Sequence, residues 1–293
     1  IHFRETCSSK RHTAAGFPPN ATLVKASTIK NGWFIKFPRK TLTVLSRTLT
    51  HKNFPSSLLV MALLGTGLLG IWHDLEVKDN AELSDFQLWY TRQHLPERLG
   101  VPGFLRGRRY QAVAGQPQYA ALYETKSVET LASASYHKQL NNPTTWSTQN
   151  LARFRNTNRT AFTVEQSLGY GIGAGLSVIW FSPESKTDSQ ITSWITDNSF
   201  PHIIQTPGIV GAHLLTGDQK STHADTTESE IRGTPDKISD WVVLVEGHDP
   251  SITEQALSQY LSPTTIANIG NSSYECCHYK LIHSSVSADI LNF

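Results

Sequence analysis

Apolar and polar positions along the chain fall into blocks whose period changes repeatedly between two and about 3.6. Leu68 to Trp72 is a short apolar run ending in tryptophan, and Tyr119 to Glu124 alternates and closes on glutamate. Both patterns predict strands. Between them a helix is predicted from about Ala81 to near His94, and after the second strand Ser127 caps another helical stretch beginning Val128-Glu129-Thr130-Leu131. A further strand is predicted over Thr160–Ser167. The same order then recurs: Leu176 to Trp180, Trp241 to Glu246, a capping box Ser251-x-x-Glu254, and a closing strand from Tyr274 to His283.

The recurrence is an internal repeat. Ser84 to Trp89, Leu95-Pro96 and Val101-Pro102-Gly103-Phe104 align without a gap on Ser189 to Trp194, Phe200-Pro201 and Thr206-Pro207-Gly208-Ile209. Element order β-α-β-β-α-β, twice, defines the expected fold class: α+β, tandem ferredoxin-like repeats packed sheet to sheet as an intramolecular α+β barrel. Expected boundaries are 1–60 for an N-terminal extension outside the fold, 61–168 for repeat 1, 169–174 for a Gly-rich linker and 175–293 for repeat 2. Gly217 to Asp240, rich in Thr, Ser, Asp and Glu, reads as a flexible exposed loop. Asn142 reads as the cap of a helix that Pro143 opens.

Charge separates the extension from the rest. Residues 1–60 carry ten Lys/Arg and one acid, whereas the remainder holds sixteen basic and twenty-three acidic residues. An acidic folded part argues against a general nucleic-acid role. Met61 is the sole methionine, so the extension reads as sequence translated upstream of the true start; the competing reading is a basic, Ser-rich transit peptide. Cytoplasmic localisation is expected, or mitochondrial if the transit reading holds. The longest apolar run, Leu58 to Trp72, is broken by Gly65, Thr66, Gly67 and Gly70 and falls short of a membrane span, so no membrane partner is expected. Cys7, Cys276 and Cys277 have neither disulfide-framework nor zinc spacing.

The run Asp85-Phe86-x-x-Trp89-Tyr90-x-x-x-His94-Leu95-Pro96-Glu97-Arg98, followed by Pro102-Gly103-Phe104 and Arg109-Tyr110, resembles the EthD-like branch of the dimeric α+β-barrel superfamily. The resemblance covers Met61 to the C-terminus, well in repeat 1 and thinly in repeat 2. It implies a histidine at position 94 that looks into the barrel as acid or base, with Tyr90 one turn earlier and Glu97 as its orienting carboxylate. Repeat 2 has Ile195, Ser199, His202 and Ile203 where repeat 1 has Tyr90, His94, Glu97 and Arg98, which assigns any site to repeat 1.

On the strand Phe104 to Tyr110, alternation places Phe104, Arg106, Arg108 and Tyr110 on one face and Leu105, Gly107, Arg109 and Gln111 on the other. Such arginines require carboxylate, phosphate or carbonyl partners, and Glu124 and Glu76 are the internal candidates. Trp72, Arg106, Arg108, Tyr110 and Tyr123 are therefore expected to wall a pocket for an aromatic or carbonyl-rich small molecule. No P-loop, HExxH or GxSxG motif is present, and neither cofactor nor metal is expected. Two functions remain open: a cofactor-independent cyclase, isomerase, dehydratase or monooxygenase, and a non-catalytic binding or stress-associated protein of the same fold. Monomer and homodimer are both compatible with the pattern.

Overall fold

A computed structural model describes residues 62–183, 188–223, 225–267 and 271–290. The extension of residues 1–60 lies outside the described residues. Elements follow in the order β1 (Gly67–Leu75), α1 (Asn80–Trp89), a π-helical turn (Tyr90–His94), α2 (Leu95–Leu99), β2 (Phe104–Ala114), β3 (Tyr119–Thr125), a 3-10 turn (Val128–Ala132), α3 (Ala134–Leu140), α4 (Thr145–Leu151) and β4 (Phe154–Gly169). Then come β5 (Gly175–Pro183), α5 (Asp188–Trp194), a second π-helical turn (Ile195–Ser199), α6 (Phe200–Gln205), β6 (Ile209–Gly217), α7 (Gln219–Thr222), α8 (Thr227–Arg232), β7 (Trp241–Gly247), α9 (Pro250–Tyr260), α10 (Pro263–Ala267), β8 (Asn271–Val286) and α11 (Ser287–Ile290).

The strands close into an eight-stranded antiparallel barrel in the order β1-β3-β2-β8-β5-β7-β6-β4. The fold is thus α+β. Closure removes both sheet edges, because β2 pairs with β8 and β4 with β6. Side chains alternate between two environments. Leu68, Trp72, Tyr110, Leu122, Phe162, Trp180, Leu244 and Tyr279 pack in the lumen. Leu69, Ile71, Tyr123 and Ala161 instead face the first helix layer, and Ile179, Leu214 and Val243 the second.

Both π-helical turns precede a proline, Pro96 and Pro201. Proline supplies no N–H to the carbonyl four residues back and its ring crowds that carbonyl, so the helix widens by one residue there. The i to i−5 bonds run from Leu95 N–H to Tyr90 O and from Phe200 N–H to Ile195 O. The repeated Pro-Gly pairs are turns. Phe104 N–H donates to Val101 O and Ile209 N–H to Thr206 O at 3.1 Å each, with Gly103 at φ 99° and Gly208 at φ 90°. A positive φ at the third turn position is what glycine provides.

Three local expectations are corrected. Helix α4 is capped by Thr144, whose Oγ1 accepts from Ser147 N–H at 3.1 Å, while Asn142 Nδ2 donates back to Lys138 O. The cap of helix α9 lies two residues before Ser251: Asp249 is the cap, and Pro250 is the first helical residue. Gly217 to Asp240 is not a free loop. Its Asp and Thr residues serve as helix caps, Asp218 for α7 and Thr226, in a reciprocal pair with Ser229, for α8. The insert is fastened to the first helix layer by a buried Arg98–Glu228 ion pair, by Thr227 N–H to Asn141 Oδ1 at 3.0 Å and by Ile231 packed on that layer's core.

Candidate functional site

The first helix layer holds an unusual density of buried polar side chains. Tyr90 and His94, four residues apart in the π-helical turn, stand one above the other with ring centroids 5.0 Å apart, and Trp89 lies 4.4 Å from the His94 ring. From the sheet, Tyr123 and Arg109 rise towards them. Tyr123 Oη donates to Tyr90 Oη at 3.4 Å, and the Arg109 guanidinium sits 3.7 Å from the centre of the Tyr90 ring. All four residues are at most 3% exposed.

Charge accounting in this layer leaves a surplus. Arg98 is neutralised by Glu228, and Arg232 by Asp236. Among the described residues Arg109 has no carboxylate partner; Nη1 donates to Gln87 Oε1 at 3.0 Å and Nη2 has no acceptor. His94 Nδ1 also lacks a partner. Burial lowers the Arg109 pKa and pulls His94 well below its ordinary value, and the nearby Arg98 and Arg109 cations push His94 further the same way. Burial raises both tyrosines, Tyr123 strongly. At neutral pH the layer therefore presents a neutral imidazole, two phenol hydroxyls and the Arg109 guanidinium without a carboxylate; Arg159, opposite Ile71 in the sheet, also has no carboxylate among the described residues but donates to Thr222 O at 3.3 Å and to Tyr136 Oη at 3.2 Å. These groups have the chemistry to hold an electron-rich oxygen, while none of the four lines the cavities beside Arg159, Trp72, Ser239 or Trp194.

Among the described residues no hydrogen bond or ion pair joins Glu97 to His94. Its carboxylate is half-buried, which raises its pKa, and it accepts from Gln93 Nε2 at 2.8 Å. The sheet separates the other expected residues from His94: Trp72, Arg106, Arg108 and Tyr110 point into the lumen, whereas Tyr123 points to the helices. The lumen arginines form a buried ionic chain. Arg106 is bidentate on Glu124 at 2.7 and 2.8 Å, Arg108 approaches Glu124 at 3.1 Å and Glu246 at 2.7 Å, and His213 lies 3.3 Å from Glu246 and accepts or donates to Ser167 Oγ at 2.9 Å. Glu76 instead pairs with Arg155. Alternation had already set Arg109 apart from Arg106 and Arg108, and among the described residues it has no carboxylate partner where those two share Glu124.

The barrel has solved counterparts. An anthrone oxidase-like protein matches with a TM-score of 0.50 at 11% identity, over 75% of this chain and 92% of that one. A haem-binding protein from Thermus thermophilus matches with 0.46 at 10%, over 75% and 92%, and a ferredoxin-fold protein from Listeria monocytogenes related to antibiotic biosynthesis monooxygenases with 0.37 at 12%, over 75% and 97%. At these identities the likeness is one of fold. No family model and no curated protein matches the chain. Among the described residues, no helix is long and apolar enough to cross a membrane, and no three His, Cys, Asp or Glu side chains converge as a metal site.

Proposed function

We propose that this is a small-molecule-binding protein whose site is the first helix layer, with Arg109 and the two tyrosines holding an aromatic or carbonyl-rich ligand and His94 exchanging a proton with it. The reaction class that fits is a cofactor-independent cyclisation, isomerisation, dehydration or oxygenation. The reading extends to ancestry: two fused ferredoxin-like repeats of EthD-like type, of which the first carries the site. Strand order supports it, since β4-β1-β3-β2 and β8-β5-β7-β6 are the same arrangement in each half, and so do π-helical turns at matching positions. In the second turn Ile195 and Ser199 replace Tyr90 and His94.

The observation that carries the proposal is the buried, uncompensated Arg109 beside an unpartnered His94. A guanidinium held away from water without a counter-charge is costly, and an enolate, phenolate or carbonyl oxygen of a ligand offsets that cost. The test is fluorescence titration, read through Trp89, with a panel of hydroxylated aromatic ketones and β-diketones. At least one is expected to bind, and Arg109→Gln to weaken it about tenfold or more, the value of a charge-assisted hydrogen bond. Binding of a panel member that does not itself ionise in the range should not change between pH 6.5 and 8, because His94 stays neutral throughout. Absence of binding across the panel, or equal binding by Arg109→Gln, rejects the site.

One observation favours a second reading, non-catalytic binding. The lumen is filled by Trp72, Trp180, Phe162 and Tyr279 and by the ionic chain. On that reading the same ligands bind with the same dependence on Arg109, and no product forms on prolonged incubation.

A further inference from the structure

The insert between β6 and β7 bounds a cavity that the helix-layer site does not use. It is hooked onto β4 at two points. Asp218 N–H donates to Ala161 O at 2.8 Å and Ala161 N–H to Thr222 Oγ1 at 3.0 Å; further on, Lys237 N–H donates to Thr157 O at 2.8 Å and Arg159 N–H to Lys237 O at 3.0 Å. Between the hooks the chain runs through α8 and turns back at Gly233, whose φ of 71° ends that helix in the left-handed conformation that glycine adopts without strain. Fastened at both ends, the insert and β4 enclose about 840 Å³. Ligand pockets run from roughly 300 to 1,000 Å³.

Of the basic residues in its wall, Arg159 and His223, the guanidinium carries the fixed charge. Arg159 is 8% exposed and meets only neutral acceptors, Thr222 O and Tyr136 Oη. Its Nε–H has no acceptor among the described residues, yet Nε is not one of the unpartnered nitrogens sealed from water, as Nη2 of Arg109 and Nδ1 of His94 are. That donor therefore opens on the space the side chain lines, and Arg159 borders none of the cavities beside Trp72, Ser239 or Trp194. Three carboxylates stand on the insert side of the same cavity. Asp236 is spent on Arg232 through bonds of 3.0 and 2.6 Å. Asp225 and Glu230 are exposed and make no ion pair with Arg159 or with any other described residue. The fold thus holds a nearly buried cation and two unpaired carboxylates apart across one space, although pairing them would offset the cost of burying the guanidinium.

We propose that this cavity binds a small zwitterion, a molecule with a carboxylate at one end and an ammonium at the other. The carboxylate accepts from Arg159 Nε–H, the ammonium donates to Asp225 or Glu230, and an apolar middle lies against Pro235 and Ile238. Each end answers one sign of charge, so an anion or a cation alone satisfies half of the site. The site is independent of Arg109 and His94, neither of which lines the cavity.

The test is a ligand-observed NMR titration of the full chain with three probes of similar length: 6-aminohexanoate, hexanoate and hexylamine. 6-Aminohexanoate is expected to bind saturably with a Kd at or below about 1 mM. Hexanoate, which lacks the ammonium, should bind about threefold more weakly, the value of an exposed ion pair. Hexylamine, which lacks the carboxylate, should bind about tenfold more weakly, and Arg159→Gln should weaken 6-aminohexanoate by the same factor, the value of a charge-assisted hydrogen bond. Arg159 also joins Tyr136 to Thr222, so the exposed double change Asp225→Asn with Glu230→Gln supplies a test that holds even if the arginine variant fails to fold: it should bring 6-aminohexanoate down to the level of hexanoate. The proposal is overturned if 6-aminohexanoate does not bind, if hexanoate or hexylamine binds as well, if folded Arg159→Gln keeps full affinity, or if the double variant keeps the preference for the zwitterion.

Discussion

Removing the Glu246 charge is the perturbation whose size the structure sets most directly. Glu246 is fully buried, and burial alone would raise its carboxyl pKa; the Arg108 guanidinium at 2.7 Å and the approach of His213 outweigh that and hold it at about 2, against an ordinary 4.5. A depression of that size corresponds to stabilisation on the order of 3 kcal/mol. Independent experience with buried pairs that lose one partner gives about 3 to 5 kcal/mol, so the two routes agree. The folded-state pKa lies below the unfolded one, so this stabilisation is complete above about pH 4.5 and disappears as pH falls towards 2. Urea unfolding of wild type and Glu246→Gln at pH 7 should therefore differ by about 3 to 5 kcal/mol, and the gap should close steadily in the acid limb. A difference below about 1 kcal/mol at pH 7, or one that is independent of pH, refutes the assignment of the lumen chain as a charged network. A companion double variant, Arg108→Met with Glu246→Leu, should recover most of the loss, since an apolar pair replaces both charges together.

Two further outcomes rest on the helix layer. His73 is stacked on Phe154 at 3.9 Å between ring centres, and burial lowers its pKa to about 3, so the unfolded chain takes up a proton below about pH 6.5 that the folded chain refuses. Stability should fall by about 2 kcal/mol from this residue between pH 6.5 and 5, and His73→Phe should flatten that part of a melting profile; an unchanged slope counts against it. Glu228→Ala leaves Arg98 buried and uncompensated, which should cost about 3 to 5 kcal/mol and open Gln219–Arg232 to hydrogen exchange before the barrel strands, a pattern readable by mass spectrometry.

Most strands were legible because a half-buried strand writes its alternation into the chain. Tyr119 to Glu124 and Trp241 to Glu246 were expected within a residue of β3 and β7, and the constant spacing of Trp89, Pro96 and Gly103 against Trp194, Pro201 and Gly208 located the helical segments in both halves. The insert was misread because polarity was taken as exposure. Asp218 and Thr226 are spent on capping, Asp236 on Arg232, and Glu228 is buried by a partner from a distant helix that no local pattern announces.

The sequence by itself determined which residues alternate in β3 and β7 and that Arg109 points away from Arg106 and Arg108, because these follow from backbone geometry within a few residues. Only the tertiary structure decided which of the strand's arginines lacks a counter-charge. Arg108 is neutralised by Glu246, from the far half of the chain, while Arg109 faces aromatic rings and, among the described residues, no carboxylate. Pairing between such distant segments depends on how the barrel closes, and closure is a property of all eight strands together.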